Sequence, residues 1–263
     1  MCRDFAESAM LAIDIPVLAT AALVSIRIAA MLAFTPVFTQ FPIPATARVL
    51  LVAMLSMTLA MALPRTGQPV PTDLGGFIQA AALEFSFGLL LACGIFCAFS
   101  AIAFAGRALD IQIGFGIGQV FDPVSRAQVP IMTSVFLYTG VIVFFLLDGH
   151  HALLRGLAYT LTVVPVGGFS PQDVNVRAVI AAWGNVYGLG FMLIAPVAAL
   201  LLLVELGLGI LARGLPQMNV FVIALPIKIV VGLAALAAWA RFMPSGLSRI
   251  FGLTSDVWNG AVR

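Results

Sequence analysis

The sequence predicts an all-α, polytopic integral membrane protein of about six long, kinked hydrophobic helices arranged as helical hairpins, with a glycine-rich loop at its centre. Three observations predict it. Hydrophobic residues make up 62% of the chain and charged residues only 9%, where soluble domains carry about a quarter charged residues. Mean hydropathy is +1.13. The apolar runs are also far longer than the ~10-residue alternating segments of a membrane β-barrel, so the spans are helical.

The first apolar segment, Ile15 to Phe38, follows a polar start and is long enough to span; Arg27 lies near its middle. FPIP (Phe41 to Pro44) forms a corner, since two prolines bracketing one residue cannot continue a helix. The second segment, Ala45 to Leu63, ends in a linker rich in proline and glycine, PRTGQPVPTDLGG. The third, Phe77 to Leu109, carries Glu84. Its length of about 33 residues, or ~50 Å at 1.5 Å per residue, overshoots a hydrocarbon core of ~30 Å, so it tilts, bends or extends beyond the membrane plane.

The stretch from Gly106 to Pro130, GRALDIQIGFGIGQVFDPVSRAQVP, organises the chain. It is too polar for a span and too apolar for an ordinary surface loop. Gly114, Gly116 and Gly118 alternate with Phe115 and Ile117, and Asp122-Pro123 ends the run. Glycine permits φ-positive bends that other residues resist, and proline halts any helix. Irregular backbone between membrane helices is tolerated only where it is buried in protein or lines an aqueous cavity. The stretch is therefore a candidate constriction.

A fourth segment runs from Val129 to Leu147, followed by a turn at Asp148-Gly149-His150-His151 and a shorter apolar stretch to Val164. After the linker VGGFSPQDVN comes a fifth span, Val176 to Ala212, with Pro196, Glu205 and a Gly184-x-x-x-Gly188 ladder that allows close helix approach. Arg213 to Pro216 makes a corner. The last span, Met218 to Phe242, holds Pro226 and Lys228, and both prolines predict kinks.

Arg27, Glu84, Glu205 and Lys228 are the ionisable groups inside apolar runs, and each costs ~2.5–3.5 kcal/mol at a bilayer centre if unpaired. They read as structural pairs, made with one another or with partner subunits, as groups at a depth where water reaches, or as an ion or proton path. Asp148, His150 and His151 read as a turn-capping acid followed by interfacial histidines. Adjacent helical histidines point about 100° apart and cannot share one metal from one face. No G-x-S-x-G elbow and no phosphate-binding loop is present, and Gln119 stands where a dinucleotide fingerprint needs its third glycine. Catalytic, cofactor and metal residues are accordingly expected to be none. Cys93 and Cys97, four apart on one helical face, read as packing residues, and with Cys2 they make no disulfide framework. A net charge of +2 without a basic tract argues against nucleic acid. The first residues lack the pattern of a removable signal peptide.

Read in order, Arg27 with Phe34-Thr35-Pro36, Pro44 with Arg48, GRALDIQIGFGIGQVFDP, Gln128-Val129-Pro130, Phe145-x-x-Asp148-Gly149-His150 and ARGLPQMNVFVIALPIK (Ala212 to Lys228) resemble the FliR family of type III export-gate subunits. That family has a flagellar branch and an injectisome branch, SctT. The resemblance covers about Ile15 to Arg241, and DIQIGFGIGQVFDP is more similar to the flagellar branch. It implies one export-gate membrane domain over residues 1–263. The implied setting is the bacterial inner membrane at the flagellar basal body, in a complex with FliP-like and FliQ-like subunits and a FlhB-like switch subunit, through which unfolded export substrates pass. It implies that a loop of about residues 111–125 plugs the pore, through Ile113, Gly114, Phe115, Gly116, Ile117, Gly118, Gln119, Val120, Phe121, Asp122 and Pro123. A small-solute transporter coupled through Glu84, Glu205 and Lys228 is the competing class, and it would be expected to show two related halves, which the sequence does not show.

Overall fold

The computed structural model describes residues 15–37, 44–62, 73–115, 130–214 and 220–261. Among them eight α-helices occur in the order α1 (Ile15–Ala33), α2 (Ala45–Ala62), α3 (Leu74–Ile113), α4 (Ile131–Leu146), α5 (Gly149–Val163), α6 (Val176–Gly214), α7 (Val220–Trp239) and α8 (Met243–Ala261), with short 3-10 turns at Pro171–Asp173 and Ala240–Phe242. No strand is present among the described residues. Four helical stretches are long and apolar enough to cross a membrane, or up to five if the broken pair α4 and α5 makes one span. The protein is thus an all-α polytopic membrane protein, and six is an approximate count of its spans.

The chain divides into two compact units, residues 1–93 with 151–174, and residues 94–150 with 175–263. In the first unit α1 turns Leu23, Val24, Arg27, Ile28 and Met31 inward, a spacing that places all five on one helical face. Against it the first half of α3 buries Ala80, Glu84, Phe87 and Leu91. The closest approach is at Gly88, where a Cβ would lie 2.5 Å from the Arg27 carbonyl oxygen. α2 packs on α1 through little more than Ser56 and Ala60, and leaves Val49, Leu50, Met54 and Met61 exposed.

In the second unit the rest of α3 buries Cys97, Ala98, Ala101, Ile102, Ala105, Leu109 and Ile113 along one stripe. Residues of α4, α6 and α8 close over it, among them Met132, Phe136, Leu193, Val197, Leu247 and Ile250. Phe99, Phe144 and Phe251 meet with ring centroids 5.4–6.1 Å apart, close to the tilted and edge-on arrangements that aromatic rings prefer. The Trp239 indole N–H donates to the Leu193 carbonyl at 2.8 Å, one residue from the carbonyl that Pro196 leaves without its helical donor.

Three boundaries differ from the sequence reading. α3 begins at Leu74, where the Asp73 carboxylate accepts from the Gly76 N–H at 2.8 Å, and continues to Ile113. Nothing in GRALDIQI breaks a helix, so the irregular stretch starts at Gly114 rather than Gly106. The last span, read as Met218 to Phe242, runs on into α8, and the stretch long and apolar enough to cross is Val222–Thr254. The MPSGLSRIFGLTSDVWNGA segment is too polar to read as a span, yet Met243, Leu247, Ile250 and Thr254 recur at helical spacing and are all buried. Finally, nothing lies within 4 Å of a Cβ placed at Gly184 or Gly188, so this ladder makes no close helix approach among the described residues.

Candidate functional site

The four ionisable residues of the apolar runs resolve into two pairs, of which only the first is buried. In the first unit the Arg27 guanidinium grips the Glu84 carboxylate with both arms, Nε to Oε2 and Nη2 to Oε1 at 2.9 Å. Both side chains are fully buried. Glu84 Oε1 also accepts from the Gly167 N–H at 2.8 Å, and Arg27 Nη2 reaches the Val164 carbonyl at 3.3 Å. The guanidinium lies 4.6 Å from the centroid of the Phe87 ring, which in turn stacks 4.8 Å from Phe169. One ion pair therefore ties α1 to α3 and holds the 164–170 turn, where Gly167 takes φ 75°. Its remaining nitrogen, Nη1, is buried with no hydrogen-bond partner among the described residues. The face of Phe87 offsets part of that cost.

The second pair joins Glu205 of α6 to Lys228 of α7, Nζ to Oε1 at 2.9 Å. Its exposure is the reverse of the first: the Glu205 side chain is 60% exposed and the Lys228 side chain 18%. Cys97 is buried and Cys93 half-buried, and neither is in a disulfide. At the α4–α5 turn Asp148 takes a left-handed φ of 54°, and the His150 ring lies 5.3 Å from that of Phe145.

The mouth of the glycine-rich stretch is built around a residue that the sequence reading passed over. Asp110, 1% exposed, sits in the last turn of α3. Its Oδ1 accepts from the Met132 N–H at 2.9 Å, and its Oδ2 from the Thr133 N–H and hydroxyl at 3.0 and 2.8 Å. α4 begins after Pro130, which offers no side-chain cap, so Asp110 caps α4 from across the loop. Gly106, one turn earlier, lets the backbones meet: a Cβ there would lie 2.6 Å from the Thr133 Cα. The two ends of the stretch are thus clasped together. The signal was present in the sequence, because an acid in the last turn of a helix opposes the helix dipole and needs a partner elsewhere, here the positive end of α4.

Of the expected plug residues, Ile113 ends α3 and is fully buried. A Cβ at Gly232 of α7 would lie 2.8 Å from its Cγ1. Gly114 takes φ 101°, the left-handed geometry that commonly ends a helix at glycine, and Phe115 packs half-buried against the core. Gly116, Ile117, Gly118, Gln119, Val120, Phe121, Asp122 and Pro123 lie outside the described residues.

Residues 18–254 match the model of a family described as bacterial export proteins, family 1. Flagellar biosynthetic protein FliR of Bacillus subtilis is 32% identical over 239 residues, covering 89% of this chain and 91% of that protein. FliR of Escherichia coli is 28% identical over 237 residues, covering 88% and 90%. Yop proteins translocation protein T of Yersinia pestis is 28% identical over 175 residues, covering 66% and 67%.

Proposed function

The chain belongs to family 1 of the bacterial export proteins, the FliR family, and from that premise we propose that it is a subunit of the flagellar type III export gate that forms and plugs the secretion channel. The observation that carries this reading is the extent of the match. Flagellar relatives align over 80–89% of the chain, whereas the Yersinia translocation protein aligns over 66%. An injectisome gate subunit is the second reading. In the proposed setting, one export-gate domain sits in the inner membrane at the flagellar basal body with FliP-like and FliQ-like subunits and a FlhB-like switch subunit. Unfolded substrates pass through the assembly. The chain acts as conduit and seal rather than as an enzyme.

The described residues support a plug in two ways. Asp110 and Gly106 clasp both ends of the stretch, holding the end of α3 against the start of α4. Bare helices such as α2 also suit a subunit whose apolar surface is covered by others. In this reading Ile113 to Pro123 form the closed-state seal, with Phe115 and Ile117 excluding water in a narrow ring that blocks ions by dewetting. Two measurements test it. Cells lacking the gene should neither swim nor secrete flagellin, and a null strain that swims normally would overturn the export reading. Deleting Gly114 to Gly118 should leave the complex assembled but depolarise the inner membrane. A deletion that assembles and stays as tight as wild type would move the seal elsewhere.

A further inference from the structure

We propose that the α6 face centred on Glu205 and Gly209 receives an apolar helix of another subunit, which brings a neutral hydroxyl or amide donor to the Glu205 carboxylate. The inference rests on the export-gate reading only in taking the protein to work within an assembly.

Glu205 lies nine residues before the end of α6 at Gly214, and Lys228 eight residues after the start of α7 at Val220. At 1.5 Å per residue the pair is about 12–14 Å from the nearer helix ends. Around it are Leu202 at 55% exposed, Leu206 at 57% and Ile210 at 73%. Leu202, Glu205 and Gly209 fall on one helical face by their i, i+3 and i+7 spacing, and nothing lies within 4 Å of a Cβ at Gly209. Lys228 occupies Oε1 of the carboxylate. Among the described residues nothing else hydrogen-bonds to Glu205, so Oε2 is open on a side chain that is mostly exposed.

Three environments could meet this face. Lipid tails satisfy the leucines but leave a carboxylate oxygen without a donor in hydrocarbon. Water satisfies the carboxylate but wets a row of leucines. A protein helix satisfies both, and the missing side chain at Gly209 lets its backbone come close. Charge decides what that helix carries. Glu205 and Lys228 already cancel, so a further lysine or arginine would leave a net charge in a dry interface, whereas a serine, threonine, asparagine or glutamine would complete the hydrogen bonding without one.

The test places a photo-reactive amino acid at Leu202, and separately at Leu206, in the full chain within its native membrane complex, and identifies the adducts by mass spectrometry. The expected adduct at Leu202 is with an apolar helix of a different subunit of that complex, with a hydroxyl or amide side chain within four residues of the attachment point. Glu205→Gln, which keeps an acceptor, should retain at least half of that adduct, and Glu205→Leu should lower it at least fivefold. Adducts with lipid, with a second copy of this chain, or with a peptide carrying only lysine or arginine would overturn the proposal. So would the lack of any adduct at both positions, or an adduct indifferent to Glu205→Leu. Flagellin export by the same strains is measured in parallel. Lipid adducts in an exporting complex sink the docking face alone, while export that proceeds without the chain sinks the gate reading.

Discussion

The two ion pairs have similar chemistry and opposite surroundings. Arg27 and Glu84 are fully buried, joined by two bonds, braced by two backbone groups and faced by Phe87. Glu205 and Lys228 share one bond on an apolar surface with most of the carboxylate exposed. Charges in an apolar chain therefore do two kinds of work. The first pair locates helices within the chain and, apart from Arg27 Nη1, finds its partners inside it. The second keeps a hydrogen-bonding site on the outside, where only another molecule can complete it. The comparison predicts opposite phenotypes for similar substitutions.

The largest effect is expected from halving the buried pair. Glu84→Ala leaves the Arg27 guanidinium without its counter-charge and the Gly167 N–H without its acceptor, a change of the class that costs ~3–5 kcal/mol. The chain should fall to a small fraction of its wild-type level in membranes, read by quantitative immunoblot. Arg27→Lys should also fail, because an ammonium cannot reproduce the two-armed grip or the stacking on Phe87. Wild-type amounts of both variants would show that the pair does not hold α1 to α3.

Next come the glycines at which backbones touch. Gly88→Val drives a side chain into the Arg27 carbonyl, and Gly106→Val into Thr133. Neither neighbour is a flexible side-chain tip, so each substitution should cost at least the ~1–3 kcal/mol of overpacking. Gly184→Ala, with open space around it, should leave the abundance of the chain unchanged. Thermal unfolding of the purified complex separates the three. Equal midpoints for Gly88→Val and Gly184→Ala would contradict the close approach of α1 to α3.

Much of the fold was legible in the sequence, and the gaps share a physical cause. The long apolar runs announced α3 and α6, and the four ionisable residues inside apolar runs announced themselves by cost alone. Which acid met which base was hidden, because Arg27 and Glu84 are separated by 57 positions and come together only through helix packing. Asp110 was overlooked for another reason. Beside a glycine-rich run it read as loop polarity, although its place in a final helical turn already called for a distant donor. α8 was lost because Pro244, Gly246 and Gly252 interrupt the apolar run, while the helical spacing of Met243, Leu247, Ile250 and Thr254 persists beneath them.

Asp110 lies between the two pairs in kind, a single buried charge met by neutral donors. Asp110→Asn keeps one oxygen but replaces the other with an amide that cannot accept from Thr133. Caps of this sort contribute ~1 kcal/mol, and charge-assisted ones ~1.5–3. The expected result is a complex that assembles at near-normal yield with its glycine-rich stretch less firmly anchored. Limited proteolysis within residues 114–129 should then run severalfold faster, and Asp110→Ala faster again. Unchanged cleavage in both variants would mean that Gly106 and the α3–α4 packing hold the mouth without the carboxylate.

The smallest effect on the chain itself is expected at the exposed pair, and here the comparison is sharpest. Solvent-exposed pairs contribute ~0–1 kcal/mol, so Glu205→Gln should leave the amount of chain in the membrane unchanged, unlike Glu84→Ala. Gln keeps an acceptor but removes the charge that balances Lys228, which leaves an uncompensated ammonium at whatever surface covers this face. The loss should therefore appear in assembly, as a recovery of other subunits with an affinity-tagged chain that falls measurably but by no more than half. Restoring neutrality should restore assembly, so adding Lys228→Gln to Glu205→Gln is expected to recover more of the complex than Glu205→Gln alone. A double variant no better than the single one would show that the pair acts through its geometry and not its charge balance. A drop in chain abundance equal to that of Glu84→Ala would erase the distinction between the two pairs.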